Sequence, residues 1–185
     1  LHLCSHNLET INNTTSMTKH DLLAEVCMAA KYEGETLTRY HPQYQGTNPD
    51  SQICTVLARS FADIGDIVRG RDLYFGNSKE KNRRENLENN LKEIFKNIYD
   101  DLTKDNDNAA LKTRYQHDAP DYYQLREDWW EENRQQVWKA LTCDAGGGTY
   151  FRFTCSNDTT LAHKNCTCIS GDPPTYFDYV PQFLR

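Results

Sequence analysis

The sequence predicts an all-α protein: a disulfide-stabilised helical bundle with long loops. Three observations carry this reading. Apolar residues recur at steps of three or four in four separate stretches, which is the period of a helix with one buried face. Those stretches are bounded by caps, prolines and glycines, with little strand pattern and no internal repeat. Seven cysteines in 185 residues, with no Cys-x-x-Cys among them, read as disulfides of an oxidising compartment.

Thr18 and Asp21 form a capping-box pattern that opens a helix over about 19–33, with Leu22, Leu23, Val26, Cys27 and Ala30 inward and Gly34 past its end. Residues 35–49 hold turn formers and read as a link. Asn48, Pro49 and Asp50 then supply a cap, a first-turn proline and a first-turn acid. The central helix follows, with Ile53, Leu57, Phe61, Ile64 and Val68 on one face and Gly70 as its stop. Arg59, Asp63, Asp66 and Arg69 fall largely on the opposite side, toward solvent. A third helix carries Leu87, Leu91, Ile94, Ile98 and Leu102, with Glu88 and Lys92 spaced for an i,i+4 pair. Residues 103–118 read as a polar connector. A fourth helix, opened by Pro120 and running to about Cys143, places Leu125, Trp129, Val137 and Leu141 inward, with Trp130 and Trp138 flanking, and glycines 146–148 end it. A short apolar stretch, YFRFTC, a cysteine-bearing loop and the first turns of another helix at PTYFDYVPQFLR complete the chain. Opening on LHLCSHNLE and closing on VPQFLR, the chain reads as part of something longer: residues 1–18 as the end of a preceding subdomain or linker, 19–185 as the helical bundle.

Composition excludes more than it assigns. With 37% apolar and 11% aromatic residues the chain can build a core, since disordered chains are poor in aromatics. A net charge of −6 argues against a general nucleic-acid binder. No apolar run reaches the roughly 20 residues of a membrane span. Signatures of serine hydrolases, zinc proteases, phosphate loops and dinucleotide binding are missing, so no enzyme, cofactor or catalytic residue is expected. Two sets with metal-ligand chemistry, His2/Cys4/His6 and Cys155/His163/Cys166/Cys168, lack tetrahedral zinc spacing, and no metal is assigned. Asp100, Asp101, Asp105 and Asp107 lack the glycine and terminal Glu of a calcium loop. Asn12, Asn13, Asn157 and Asn165 lie in sequons. One feature suits binding. Lys79, Lys81, Arg83, Arg84, Lys92 and Lys96 gather positive charge at the start of the third helix, a pattern that can collect sulfated or sialylated glycans. The same residues equally fit a solvated face balanced by Glu80, Glu85, Glu88 and Glu93.

Four strings, LAEVCMAAKYEGETL, ARSFADIGDIVRGRDLYFG, REDWWEENRQQVWKALTC and DYVPQFLR, resemble the Duffy-binding-like domain of malaria parasites. They are most similar to the alpha class at the head of Plasmodium falciparum erythrocyte membrane protein variant antigens. The resemblance spans nearly the whole chain and falls mostly on the family's second subdomain. It implies an adhesion module on the face of the infected erythrocyte, bearing host-receptor or glycan contacts, exposed to antibodies and changing by antigenic variation. Adjacent domains of the same antigen would be partners, and rosetting through heparan sulfate, complement receptor or blood-group sugars is associated with this class. The alternative it leaves is a scaffold that displays variable loops and positions a neighbouring receptor-binding region. For the cysteines the resemblance implies Cys54 with Cys155 and Cys27 with Cys143. Cys4, and at least partly Cys166 and Cys168, would then pair outside the chain.

Overall fold

A computed structural model describes residues 17–72, 78–104, 109–147, 150, 153–162 and 164–185. Residues 1–16, with Cys4 and two sequons, lie outside the described residues, as do Asp105, Asp107 and His163. Among the described residues, five α-helices follow in order: α1 (Lys19–Thr47), α2 (Ile53–Val68), α3 (Ser78–Leu102), α4 (Ala109–Arg114) and α5 (Tyr123–Leu141). Short 3-10 turns occupy Lys164–Cys166, Phe177–Tyr179 and Gln182–Leu184. Among the described residues the strand pairing is an isolated bridge between Cys155 and Thr160.

Local chemistry accounts for these limits. The Thr18 amide and hydroxyl both donate to Asp21 Oδ2, at 2.9 and 2.7 Å, so the capping box forms as the pattern requires. The helix does not stop at Gly34 but continues to Thr47, through Pro42. Gly34 is needed for packing instead: a Cβ there would lie 1.8 Å from the carbonyl oxygen of Leu141 on α5. Asn48 closes α1 rather than opening α2, since its amide and Nδ2 both donate to Tyr44 O. Asp118 caps α5, accepting from the amides of Gln124 and Leu125 at 2.8 Å each. The connector at 103–118 contains α4, and the last segment forms 3-10 turns where a further helix is predicted.

The chain divides into two compact units. The described residues of one fall within 27–65 and 134–185; those of the other fall within 17–26 and 66–133. In the first, Leu57, Phe61, Val137 and Trp138 are buried, and Trp138 stands edge-on to Phe61 at 5.1 Å. Glu33 and Ser60 are buried together, the Ser60 hydroxyl donating to the carboxylate at 3.2 Å. Arg134 donates twice to Asp178 and once to the Thr175 carbonyl, beneath the rings of Tyr176 and Tyr179. In the second unit, Leu87, Leu91, Ile94, Phe95 and Ile98 form the α3 stripe, and Phe95 meets Trp129 edge-on. Trp130 and Trp138 are fully buried rather than flanking.

The cysteines pair differently from the family-based expectation. Cys54 bonds Cys166, and Cys155 bonds Cys168. Trp138 Nε1 donates to the Cys166 carbonyl, which holds the buried Cys166 beside Cys54 in the first turn of α2. The Cys155–Thr160 bridge and the Cys168–Asp172 hydrogen bond fold the loop so that Cys155 meets Cys168. With Cys155, Cys166 and Cys168 all oxidised, the zinc candidate loses its thiolates. Cys27 and Cys143 are free thiols rather than a pair. Burial pushes the Cys27 thiol up, and partial burial with the Asp144 carboxylate does so for Cys143.

Two outcomes follow. Peptide mapping without reduction should recover Cys54 joined to Cys166 and Cys155 to Cys168; Cys27 found bonded would overturn the assignment. The Cys54–Cys166 bond closes a loop of 112 residues. Cys54→Ser with Cys166→Ser should therefore lower unfolding free energy by about 2–5 kcal/mol in a urea titration. A third test concerns Asp128, which accepts from Arg114, Tyr115 and Gln124. The Arg114 guanidinium holds its carboxyl down at about 2, and Tyr115 and Gln124 add to the effect. A depressed folded-state pKa stabilises above the ordinary value and is lost below it. Thermal melts of the parent and Asp128→Asn should differ above about pH 4 and converge toward pH 2; a constant difference would contradict this.

Candidate functional site

The start of α3 carries the residues with binding chemistry, and a buried guanidinium positions that helix. Arg126, on α5, has no solvent exposure. Its Nη1 and Nη2 donate to Glu88 of α3 at 2.7 and 2.9 Å, a bidentate pair. Its Nε donates to Val68 O at 2.7 Å and its Nη2 to Ile67 O at 3.3 Å. These are carbonyls at the end of α2, which have no partner within the helix. A fifth contact, to Asp121 O, is 3.4 Å long, and the group lies over Phe95 and Tyr123. A guanidinium has five N–H donors, so every one is used. Arg69 repeats the device at the same end of α2, bonding Asp66 and Glu127 at 3.2 and 3.1 Å. Asp66 and Arg69 are therefore buried, not solvent-facing, because α5 residues cover them.

Beside this cluster is a depression of about 190 Å³, with Gly70, Asp72, Arg84, Glu88, Lys92 and Tyr123 in its wall. Of the six basic residues singled out by sequence, it gathers only two. Arg84 lies 3.4 Å from Asp72, and Lys92 lies 2.6 Å from Asp121. The Asp121 carboxylate holds the Lys92 ammonium above its ordinary value. The predicted Glu88–Lys92 pair gives way to these partners, since Glu88 is taken by Arg126. Lys81 pairs loosely with Glu85 at 3.9 Å. Lys79, Lys81, Arg83 and Lys96 are exposed. At about 3.6 residues per turn, Lys79 and Arg83 fall on a different flank from Lys81, Lys92 and Lys96, so α3 does not present one basic face.

Sequence reasoning passed over another concavity. A groove of about 910 Å³ lies in the first unit, along residues 33–44 of α1, the turn at 48–52 and residues 55–63 of α2. Its aromatic lining, Tyr40 and Tyr44, sits in the stretch predicted to be a link. The signal was present: Leu37, Tyr40 and Tyr44 recur at helical spacing, but Gly34 and Pro42 masked it. Among the described residues no cluster of three or more His, Cys, Asp or Glu could hold a metal ion. No described helix is long and apolar enough to cross a membrane.

Comparison with known proteins gives a consistent picture. The model of the Duffy binding domain matches residues 1–185. A solved NTS-DBL1-alpha and CIDR-gamma double domain of PfEMP1 from the Plasmodium falciparum varO strain is 45% identical with a TM-score of 0.78, over 99% of this chain and 25% of that one. The NTS-DBL1(alpha-1) domain of the same strain is 43% identical with a TM-score of 0.75, over 99% of this chain and 40% of that one. A DBLb domain of PfEMP1 bound to human ICAM-1 is 30% identical with a TM-score of 0.67, over 98% of this chain and 36% of that one. This chain thus spans a quarter to two-fifths of the length of these solved chains. No curated protein matches it.

Gly70 is where the Arg126 cluster is most sensitive. It has φ +69°, and a Cβ there would lie 2.9 Å from Arg126 Nη1 and from Tyr123 Cε1. Gly70→Ala should cost about 2–4 kcal/mol in urea unfolding, combining the left-handed backbone with a clash against a fixed guanidinium. A cost below about 0.5 kcal/mol would show that the cluster yields freely.

Proposed function

Because the chain belongs to the Duffy binding domain family, we propose that it is a host-cell adhesion module of a variant surface antigen displayed on infected erythrocytes. The observation that carries this reading is 43–45% identity to PfEMP1 DBL1-alpha structures over 99% of the chain. That a DBLb domain is solved bound to human ICAM-1 supports a host cell-surface receptor as the class of partner. The packing is consistent with such a role. Buried ion pairs and two disulfides hold a frame from which exposed side chains can change without cost to the core.

For the ligand, the reading is a sulfated or sialylated glycan contacted from α3 through Lys79, Lys81, Arg83, Arg84, Lys92 and Lys96. Arg83 and Lys96 are the strongest candidates: they are exposed and enter no ion pair among the described residues. Rosetting through such glycans belongs to the same proposal. A second reading, a scaffold that displays loops and positions a neighbouring receptor-binding region, is favoured by one observation. Arg84 and Lys92 already face Asp72 and Asp121, which weakens the field an anion would meet.

Heparin-affinity measurement separates the two. Arg83→Ala with Lys96→Ala should weaken binding about three- to tenfold, more at low salt than high, with the thermal melt unchanged. Alanine at Arg83, Arg84 and Lys92 should also reduce heparin and red-cell binding. No loss in either variant would favour the scaffold.

A further inference from the structure

The groove between α1 and α2 holds polar and aromatic chemistry that the glycan reading on α3 does not use. Contacts pair Glu33 with Ser60 and His41 with Ser51, so the two helices run antiparallel from the turn at 48–52. From Glu33 to Tyr44 the α1 wall rises about 16 Å. In this register Gln52 and Thr55 stand level with Tyr40 and Leu37, Asp50 lies toward the Tyr44 end, and Arg59 lies toward the Glu33 end. The volume of about 910 Å³ is near the top of the roughly 300–1,000 Å³ range of small-ligand sites, with room for several linked rings rather than one.

Part of the lining is already engaged. Glu33 is buried and accepts from Ser60, Arg185 donates to Asp63, Thr36 donates to Tyr32 O, Thr47 and Asn48 donate to Tyr44 O, and His41 meets Ser51. The rest is open to a ligand. The hydroxyls of Tyr40, Tyr44 and Thr55 and the side chains of Asp50, Gln52 and Arg59 enter no hydrogen bond or ion pair among the described residues. Asp50 can only accept, Arg59 can only donate, and the hydroxyls and the Gln52 amide do both. Their charges, one of each sign, cancel, so a polyanion gains no net attraction here. An apolar partner would cover these groups and leave them without water or a bond. Tyr40 and Tyr44 sit one turn apart, about 6 Å along the helix, and both are more than half exposed, leaving ring surface open beside the polar groups. A sugar chain matches both halves of this lining. One side of a sugar ring carries C–H bonds whose weak positive charge suits the negative face of an aromatic ring. Its hydroxyls donate and accept, so Asp50 and Arg59 both find partners.

We propose that this groove binds a neutral oligosaccharide, stacked on Tyr40 and Tyr44 and hydrogen-bonded by Asp50, Gln52, Thr55 and Arg59. The site is independent of the basic run on α3 and takes a ligand of different charge.

Ligand-observed NMR titration on the full chain tests it. The neutral probes are lacto-N-neotetraose, chitotetraose and maltotetraose; the sialylated form of the first is the anionic probe, and a proline-rich decapeptide is the polypeptide probe. At least one neutral tetrasaccharide should bind with a Kd of about 1 mM or tighter, and excess heparin should not displace it. The sialylated form should bind no more tightly than its parent. Tyr40→Ala with Tyr44→Ala changes no charge and alters only exposed side chains, so circular dichroism should be unaltered while affinity falls about tenfold or more. Asp50→Asn with Arg59→Gln leaves the net charge unchanged and should weaken binding about three- to tenfold. Absence of binding by every neutral probe, binding indifferent to the tyrosines, or preference for the sialylated form would overturn the proposal. So would displacement by heparin, which would put the sugar on α3, or a peptide that binds in preference to every sugar.

Discussion

The Arg126 guanidinium is the point on which the helical frame of its unit depends. Taking a charged group wholly out of water costs several kcal/mol unless each donor finds a partner. Here the five N–H groups meet a carboxylate on α3, two terminal carbonyls of α2 and one carbonyl preceding α5. The carbonyls carry the negative end of the α2 dipole, so a cation suits them better than a neutral donor would. One side chain thereby satisfies groups that three helices cannot satisfy alone. Apolar contacts hold the helices together, and this network ties residues 67 and 68 at the end of α2 to Glu88 and Arg126.

Arg134, further along α5, does comparable work in the other unit. Bound to Asp178 and the Thr175 carbonyl, and covered by Phe61, Tyr176 and Tyr179, it fixes a segment that has only 3-10 turns of its own. The Cys54–Cys166 and Cys155–Cys168 bonds tie the neighbouring loop. Specificity of the fold rests on a few buried polar contacts and disulfides, while positions such as Arg83, Lys96, Tyr40 and Tyr44 lie outside them. Exposed side chains at such positions can then change without disturbing the core.

The helical architecture was legible because its signals are local. The stripe of α3, the capping box at Thr18 and Asp21, and the burial of Leu125, Trp129 and Leu141 all follow from spacing and cap chemistry. Misreadings arose where a distant partner overrode a local rule. Gly34 resembles a stop, yet it admits the Leu141 carbonyl; Asp66 and Arg69 resemble a solvated face, yet they are buried as ion pairs. Cysteine connectivity depends on which turns fold over which helix, information held by the Trp138–Cys166 hydrogen bond rather than by cysteine spacing. The basic run on α3 is visible as composition, but Asp72, beyond the start of the helix, and Asp121, far along the chain, neutralise part of it through the fold.

The most direct test of this account is a double-mutant cycle on the central pair, followed by urea unfolding of Arg126→Met, Glu88→Gln and the double variant. Losing the guanidinium leaves the half-buried Glu88 carboxylate and the Val68 carbonyl without this partner, so Arg126→Met should cost about 3–5 kcal/mol, with coupling to Glu88 of at least about 1 kcal/mol. A cost for Arg126→Met near or below about 1 kcal/mol, with no coupling, would mean that apolar packing alone sets the frame and that the guanidinium merely occupies it.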